Sequence, residues 1–260
     1  MDHDAQTSDA APPRERAGAG GALLRMGWGA AATVMAVLYT AVLAPIGALM
    51  AAVGRPGAIA PLGRLWSRLI IRTAGIKVEF EGLENIENLR AFVLIANHQS
   101  MFDILALMAY FPREVRFVAK KELLKIPFFG FALKNGGHIV VDREAGGQAV
   151  RKAVAVAKAD LPIVFFAEGH RFNDNQIHEF NPGAAWLALL TKLPCVPIAI
   201  SGSAAFFPRG SKLVVPGKTM RMTLGAPIPT AGLQSTDRDQ LTGQLEQAVR
   251  ELFARRALPV

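Results

Sequence analysis

The chain has 260 residues and 51% of them are hydrophobic, which is enough for one large α/β domain with a buried core. Its 29 lysines and arginines against 21 acidic residues give a formal charge of +8, which favours an anionic partner. Because the basic residues are dispersed, we exclude nucleic acid and favour a phospholipid surface or a phosphorylated substrate. The single cysteine, Cys195, excludes an internal disulfide, and the sequence offers no spacing typical of a metal site.

The first segment of the chain divides into a tail and an apolar run. Residues 1–21 contain proline, glycine and mixed charges without an apolar period, which predicts a disordered tail. No charged residue occurs from Met26 to Val53, and about 20 apolar residues suffice to cross a bilayer as a helix. We therefore predict a hydrophobic membrane anchor over 22–56, followed by one domain over 57–260. A signal peptide is the alternative, but the run is too long for one.

Pro45 interrupts the apolar run and predicts a helix over Met26–Ala44, then a shorter arm over Ile46–Val53 after a kink or turn. Basic residues flank the run on both sides, so the positive-inside rule does not choose an orientation. A crossing helix and a hairpin that dips into one leaflet both remain open. We expect the segment to hold the following domain on the cytoplasmic face of a membrane, which in a bacterium is the inner membrane.

After residue 60, short β-rich runs alternate with amphipathic stretches, which predicts a central mixed sheet of about seven strands flanked by helices. The predicted strands are Ile76–Phe80, Phe92–Ala96, Val115–Ala119, His138–Val141, Pro162–Ala167, Val196–Ile200 and Met220–Leu224. The predicted helices are Phe102–Tyr110, Gly147–Ala159, Pro182–Lys192 and Ser235–Arg256.

The strongest chemical signal is the segment from Asn97 to Asp103, which follows a predicted buried strand at a strand-to-helix junction. Ser100 followed by Asp103 predicts a capping box, with the carboxylate held in the first helical turn. From there Asp103 can fix one imidazole nitrogen of His98, which leaves the other nitrogen as a base for a hydroxyl that attacks a carbonyl. The simpler interpretation is that Asp103 only caps the helix and His98 is a turn residue.

Two further segments contain candidate binding residues. After the strand that ends near Phe166, Gly169 permits a tight turn that exposes Glu168 and Arg171, and an arginine there can bind phosphate with its planar fork. A surface ion pair between Glu168 and Arg171 is the alternative. In the basic and apolar segment Lys120–Gly130, which leads to Arg143, the lysines and Arg143 are candidates for an anion site. A solvated basic helix is the alternative there.

In this order and at these separations, the segments resemble the four motif blocks of the glycerolipid acyltransferase family, whose members include 1-acylglycerol-3-phosphate acyltransferases. The similarity runs from about residue 65 to 230. The blocks correspond to Asn97–Asp103, Lys121–Gly130 with Val141–Arg143, Phe166–Arg171, and Val196–Ile198.

The resemblance implies a role for each matching residue. His98 would be the general base and Asp103 would orient it. The residues implied to bind substrate are Asn97, Lys121, Arg143, Glu168, Gly169 and Arg171. The implied reaction moves an acyl group from acyl-CoA or acyl-carrier protein to the sn-2 hydroxyl of a lysophospholipid, giving phosphatidate, with membrane lipid as a further partner. No cofactor is implied, and the domain over 57–260 would be the acyltransferase catalytic domain.

The third block departs from the family pattern Phe-Pro-Glu-Gly-Thr-Arg, because Ala167 and His170 replace its proline and threonine. An acceptor such as lyso-ornithine lipid or another lysolipid is therefore an alternative within the family. A membrane adaptor that binds anionic lipid without catalysis is a second alternative. It explains the charge and the apolar run but leaves His98 and Asp103 without a purpose.

Overall fold

The computed structural model describes residues 19–125, 129–141, 146–172, 174–207 and 212–256, and these form one seven-stranded sheet flanked by helices. The strands are β1 Lys77–Glu81, β2 Val93–Ala96, β3 Arg116–Lys120, β4 Ile139–Val141, β5 Ile163–Phe166, β6 Cys195–Ser201 and β7 Thr219–Leu224. Their order is β1-β7-β6-β2-β5-β3-β4, and all neighbours are parallel except the antiparallel pair β6 and β7. The predicted mixed sheet of seven strands is confirmed.

The central strands are covered on both faces. Every residue of β2 and β6 is buried, as expected for strands that read as continuous apolar runs in a largely parallel sheet. The edge strand β1 instead alternates charged residues with Val78 and Phe80, and its residues are only partly buried or exposed. This difference explains why the burial of the inner strands was readable from sequence.

Helices cover the two faces of the sheet. They are α1 Ala19–Ala52, α2 Ile59–Thr73, α3 Met101–Tyr110, α4 Phe129–Asn135, α5 Gly146–Lys158, α6 Gly183–Thr191 and α7 Arg238–Arg256. One core lies between the sheet and α2 and α3, and the other lies between the sheet and α5, α6 and α7. Residues 1–18 of the predicted tail lie outside the described residues, and residues 19–21 belong to α1.

The apolar run forms one long helix. Helix α1 continues through Pro45, so the turn that was predicted there as one alternative is wrong, and the other alternative, a kink, stays a prediction. Proline removes only one intrahelical hydrogen bond, and the flanking turns keep the helix intact. Helix α2 was not among the predicted helices, because its apolar residues follow directly on the apolar run.

Helix α1 packs one face against the domain. A Cβ at Gly29 would lie 2.3 Å from the carbonyl oxygen of Val214, so only glycine permits this approach. Thr33 Oγ1 accepts the Val214 N–H at 3.2 Å, and Trp66 of α2 donates to Thr40 Oγ1 at 3.0 Å. The opposite face exposes large apolar side chains, namely Leu23, Leu24, Val34, Val37, Leu38, Val42, Ile46 and Leu49. The segment Gly20–Ala52 of α1 is long and apolar enough to cross a membrane.

Helix α2 links α1 to the site-bearing helix α3. Arg68 donates to the carbonyl of Ala109 at 2.9 Å, and Arg64 donates to that of Phe111 at 3.1 Å. These carbonyls lie at the carboxyl end of α3. A cation there can donate to carbonyls that have no partner within the helix, and it interacts favourably with the helix dipole. The contacts fix α3 between α2 and the sheet.

Candidate active site

His98 lies directly beyond the carboxyl end of β2, and the turn that contains Arg171 lies beyond the carboxyl end of β5. Since β2 and β5 are parallel neighbours, with Ala96 opposite Phe166, the two segments meet at one edge of the sheet. The strand-to-helix position predicted for His98 is therefore where the structure places it. Seventy residues of sequence separate these two segments, and the strand order brings them together.

The carboxylate of Asp103 organises the loop in front of α3. Ser100 is the N-cap, and its hydroxyl accepts the Phe102 N–H at 3.3 Å. The Oδ2 atom of Asp103 accepts the backbone N–H groups of Gln99 and Ser100, at 2.8 and 2.9 Å. The capping box predicted from the sequence is therefore present. It places a fully buried carboxylate beside the loop.

The same Oδ2 atom lies 2.9 Å from Nδ1 of His98. Because that oxygen is an acceptor, Nδ1 carries the proton and Nε2 of a neutral imidazole is left as a base. The ring of His98 also stacks on Phe166, with 4.0 Å between centroids and 20° between planes. The imidazole is thus held at one edge by a carboxylate and on one face by an aromatic ring.

A tight turn follows β5. Gly169 has φ of 70°, a conformation that L side chains rarely adopt, and a Cβ there would lie 2.8 Å from Nδ2 of Asn181. Glycine is therefore required at this position. The turn buries Glu168 and leaves His170 and Arg171 exposed.

A cavity of about 2050 Å³ adjoins His98. It extends from the turn after β5 along α3 to the contact between α1 and α2. Its cationic lining residues are Arg64, Arg116, Lys120 and Arg171, and its apolar lining residues include Leu43, Leu62, Trp66, Ile104, Leu105 and Met108. Ligand sites for small molecules commonly measure about 300–1,000 Å³, so this one has room for a long apolar group together with a charged head.

The predicted binding residues are distributed unevenly around the cavity. Gly169 and Arg171 line it. Lys121 is exposed beside it, whereas the preceding Lys120 is a lining residue. Arg143 lies outside the described residues.

Asn97 is fully buried, and both polar atoms of its side chain pair with Ile200 of β6. Its Nδ2 donates to the Ile200 carbonyl at 2.9 Å, and its Oδ1 accepts the Ile200 N–H at 2.8 Å. Just beyond β2, the Asn97 side chain thus makes the two hydrogen bonds to the β6 backbone that a further strand residue would make. This geometry favours a role in positioning the His98 loop over direct contact with a substrate.

Sequence reasoning missed two residues that line the cavity, the cationic Arg116 and the imidazole of His138. Burial, together with the charges of Arg116 and Lys152, lowers the pKa of His138 to about 4. Its Nδ1 accepts the N–H of Phe117 at 3.1 Å, as a neutral imidazole can. Arg116 and His138 stand at the starts of strand runs, where no local pattern distinguishes them from strand residues.

The lone thiol is not a candidate nucleophile. Cys195 is buried in β6, and burial raises its pKa to about 12. A thiol reacts as the thiolate, which is scarce at such a pKa. Among the residues that the structure describes, His98 with Asp103 remains the candidate beside the cavity for acid–base chemistry.

Known proteins that are similar to this chain are acyltransferases. A family model described as "Acyltransferase" matches residues 77–201. The 1-acyl-sn-glycerol-3-phosphate acyltransferase alpha of sheep is 30% identical over 183 residues, covering 69% of this chain and 63% of that protein. The 1-acyl-sn-glycerol-3-phosphate acyltransferase of coconut is 32% identical over 158 residues, covering 59% of this chain and 51% of that protein. This chain therefore spans less than two thirds of the length of these curated relatives.

A solved structure is similar over a greater part of the chain. It is the crystal structure of the 1-acyl-sn-glycerophosphate acyltransferase PlsC from Thermotoga maritima, with a TM-score of 0.68 and 25% sequence identity. The match covers 91% of this chain and 98% of that one. The family model, the relatives and the shared fold show that this chain belongs to the glycerolipid acyltransferase family.

Proposed function

We propose that the protein transfers a fatty acyl group from acyl-CoA or acyl-carrier protein to the sn-2 hydroxyl of 1-acylglycerol-3-phosphate, giving phosphatidate. The observation that carries this proposal is the pair formed by His98 and Asp103, whose imidazole lines a large apolar cavity with cations at its wall. The names of the relatives support the same reaction.

In the proposed mechanism, Nε2 of His98 takes the proton of the acceptor hydroxyl as its oxygen attacks the thioester carbonyl. Asp103 holds the ring through Nδ1 and stabilises the imidazolium that forms. The tetrahedral intermediate then collapses, the carbon–sulfur bond breaks and the imidazolium returns the proton to the leaving thiolate. The products are an ester and a free thiol, so no metal or redox group is needed to balance the reaction.

The acceptor phosphate would bind near Arg171. Its side chain is exposed, lines the cavity and follows directly on the turn at Gly169, which lines the same cavity as His98. A guanidinium binds phosphate through two parallel hydrogen bonds. Lys120 and Lys121 add positive charge nearby, and the acyl chains would lie along the apolar wall formed by α1, α2 and α3.

Replacing His98 with alanine tests this function. We expect transfer to fall by at least about 10²-fold, because general-base help of this kind contributes on the order of 10²–10⁴ in rate. The readout is mass spectrometry of the products formed by purified protein from mixed acyl donors and a panel of lysolipids. Circular dichroism should show that the variant remains folded, and undiminished turnover would remove the mechanism.

The same panel separates the alternatives. His170, exposed in the cavity lining where the family has threonine, favours testing lyso-ornithine lipid as a second acceptor. Preferential acylation of that lipid would identify it as the substrate. Binding of anionic lipid without any thioester cleavage by the wild type would instead favour a non-catalytic adaptor.

We also propose that α1 lies along one leaflet, with its outer face in lipid and the domain on the cytoplasmic side. The helix contacts the domain from Gly29, next to Val214, to Gly47, next to Leu62. A helix held along this length cannot also leave the domain to cross the bilayer by itself. The exposed apolar face opposite would be covered by acyl chains.

Labelling tests this location. Gly20→Cys and Ala52→Cys place a thiol near each end of α1, and the native thiol is buried, so background reaction is low. In sealed vesicles, a membrane-impermeant maleimide should label both positions from the same side. Labelling from opposite sides would mean that the helix crosses the membrane.

A further inference from the structure

His98 is held through its backbone as well as through its ring. Its N–H donates to Oε2 of Glu168 at 2.7 Å, and its carbonyl accepts the N–H of Phe172 at 2.9 Å. Both partners belong to the segment that follows β5. That segment therefore fixes the peptide groups on either side of the proposed base.

The Glu168 carboxyl group contacts the protein backbone and does not face the cavity. Its side chain is 3% exposed, and it is not among the cavity-lining residues of the described chain, although Gly169, His170 and Arg171 are. Its second oxygen, Oε1, accepts the N–H of His178 at 2.9 Å. Each oxygen of the carboxylate thus accepts a backbone amide, and the two amides lie eighty residues apart in the chain.

The segment that contains His178 is itself held from outside by α7. Oε2 of Glu246 accepts the N–H of Phe180 at 2.8 Å, and Arg250 donates to the carbonyl of Ile177 at 2.8 Å. Arg250 also pairs with Glu246, 2.9 Å away. These hydrogen bonds to α7 fix the segment on both sides of His178. Through Glu168, the fixed position of this segment determines that of the His98 backbone.

We propose that Glu168 is a positioning residue, which fixes the backbone of His98 by bridging it to the segment around His178, and that it does not contact the acyl acceptor. The consequence for catalysis rests on the proposed function, in which His98 is the base. Two donors that point at one side chain require two acceptors, and the two oxygens of a carboxyl group can both accept, with or without its proton. Glutamine would turn an amide NH2 group toward one of the two backbone N–H groups.

Glu168→Gln is the principal test, with Glu179→Gln as a matched control that makes the same change on an exposed side chain of the same segment. We expect kcat to fall about 10²-fold for Glu168→Gln, because a displacement of about 1 Å at a catalytic group can cost that much. The KM for the acceptor should stay within about threefold, and the control should keep both constants. A rise in KM with kcat unchanged would overturn the proposal, since it would mean direct acceptor binding.

Hydrogen exchange provides a readout that does not depend on activity. In Glu168→Gln, the amide that faces the NH2 group, that of His98 or that of His178, should exchange at least about tenfold faster, while the control leaves both as in the wild type. Unchanged exchange at both amides would contradict the proposed bridge. If the wild type shows no transferase activity, the proposed function fails, but the exchange measurement still decides whether Glu168 holds the loop.

Glu168→Asp keeps the charge but shortens the side chain by one methylene, so it reaches one amide instead of two. It should fold even if the glutamine variant does not. We expect a kcat between those of the wild type and Glu168→Gln, again with little change in KM. A wild-type kcat with wild-type exchange rates in this variant would also overturn the proposal.

Discussion

Asp103 receives three hydrogen bonds on a single oxygen. Its Oδ2 accepts from His98, Gln99 and Ser100, whereas no partner is present for the buried Oδ1 among the residues that the structure describes. Two of these donors are backbone groups of the helix cap, so the same carboxylate begins α3 and orients the imidazole. The two interpretations of Asp103 open from the sequence, helix cap and catalytic orienter, are therefore compatible.

Asp103→Asn separates these two roles. The amide oxygen can still accept the two cap N–H groups, but a neutral amide cannot stabilise the imidazolium that forms when His98 takes a proton. We expect kcat to fall about 10³-fold, within the range of general-base contributions. Asp237→Asn is the matched control, because Asp237 occupies the corresponding position of a second capping box, remote in sequence from the cavity-lining residues. Steady-state kinetics measures both, and equal losses would contradict the role of Asp103.

At the scale of elements, α1 is a part of the packed domain as well as an apolar surface. Ala32 belongs to the core beneath α2 and α3, and Trp28 donates to the Thr73 carbonyl at 2.8 Å. The boundary between anchor and catalytic domain at residue 56 stays a prediction. The sequence indicated the apolar character of α1 but not which of its faces the domain covers.

Gly29→Ala tests this packing. Its Cβ would clash with the Val214 carbonyl, so we expect α1 to shift and the unfolding free energy to fall by about 1–3 kcal/mol. Gly27→Ala is the control in the same helix, since a Cβ there meets nothing within 4 Å and alanine favours a helix by about 1 kcal/mol. Thermal unfolding in detergent measures both. A midpoint for Gly29→Ala as high as that of Gly27→Ala would mean that α1 does not pack here.

For the whole molecule, two buried groups give opposite dependences of stability on pH. Burial, with a smaller contribution from the charge of Asp103, raises the pKa of Glu168 from 4.5 to about 7, although the hydrogen bonds that it accepts from backbone N–H groups oppose the rise. The folded state then holds a proton that the unfolded chain loses, so stability from Glu168 is greatest below pH 4.5 and falls up to pH 7. His138, lowered to about 4 from 6.5, stabilises fully above pH 6.5, and its contribution is lost as pH falls toward 4.

Chemical unfolding from pH 4 to 8 should resolve the two contributions. Each pKa difference corresponds to about 3 kcal/mol. The wild type should lose about that much stability relative to Glu168→Gln between pH 4.5 and 7. Relative to His138→Asn, which keeps an acceptor for the Phe117 N–H, the wild type should gain a similar amount between pH 4 and 6.5. Differences that do not vary with pH would show that these groups titrate alike in the folded and unfolded chains.

The sequence by itself determined the features that depend on near neighbours. All seven strands lie within one residue of their predicted bounds, because apolar runs and turn residues are local signals. The contact between His98 and Asp103 was also predictable, since they are five positions apart in the sequence and a helix cap fixes their geometry. The roles of base and orienter, which the family resemblance implies for these two residues, stay predictions.

The contacts that depend on strand order and long-range packing were decided only by the tertiary structure. The fold buries Glu168 against the backbone of His98, 70 residues away in the chain. It pairs Asn97 with Ile200, 103 residues away, and packs α1 along α2 through a contact that spans 26 residues. Local patterns carry no information about which strands become neighbours, because that choice depends on the packing of the whole core. A buried carboxylate and a substrate-binding one therefore look identical in sequence, and they are distinguished by the donors that the fold brings to their oxygens.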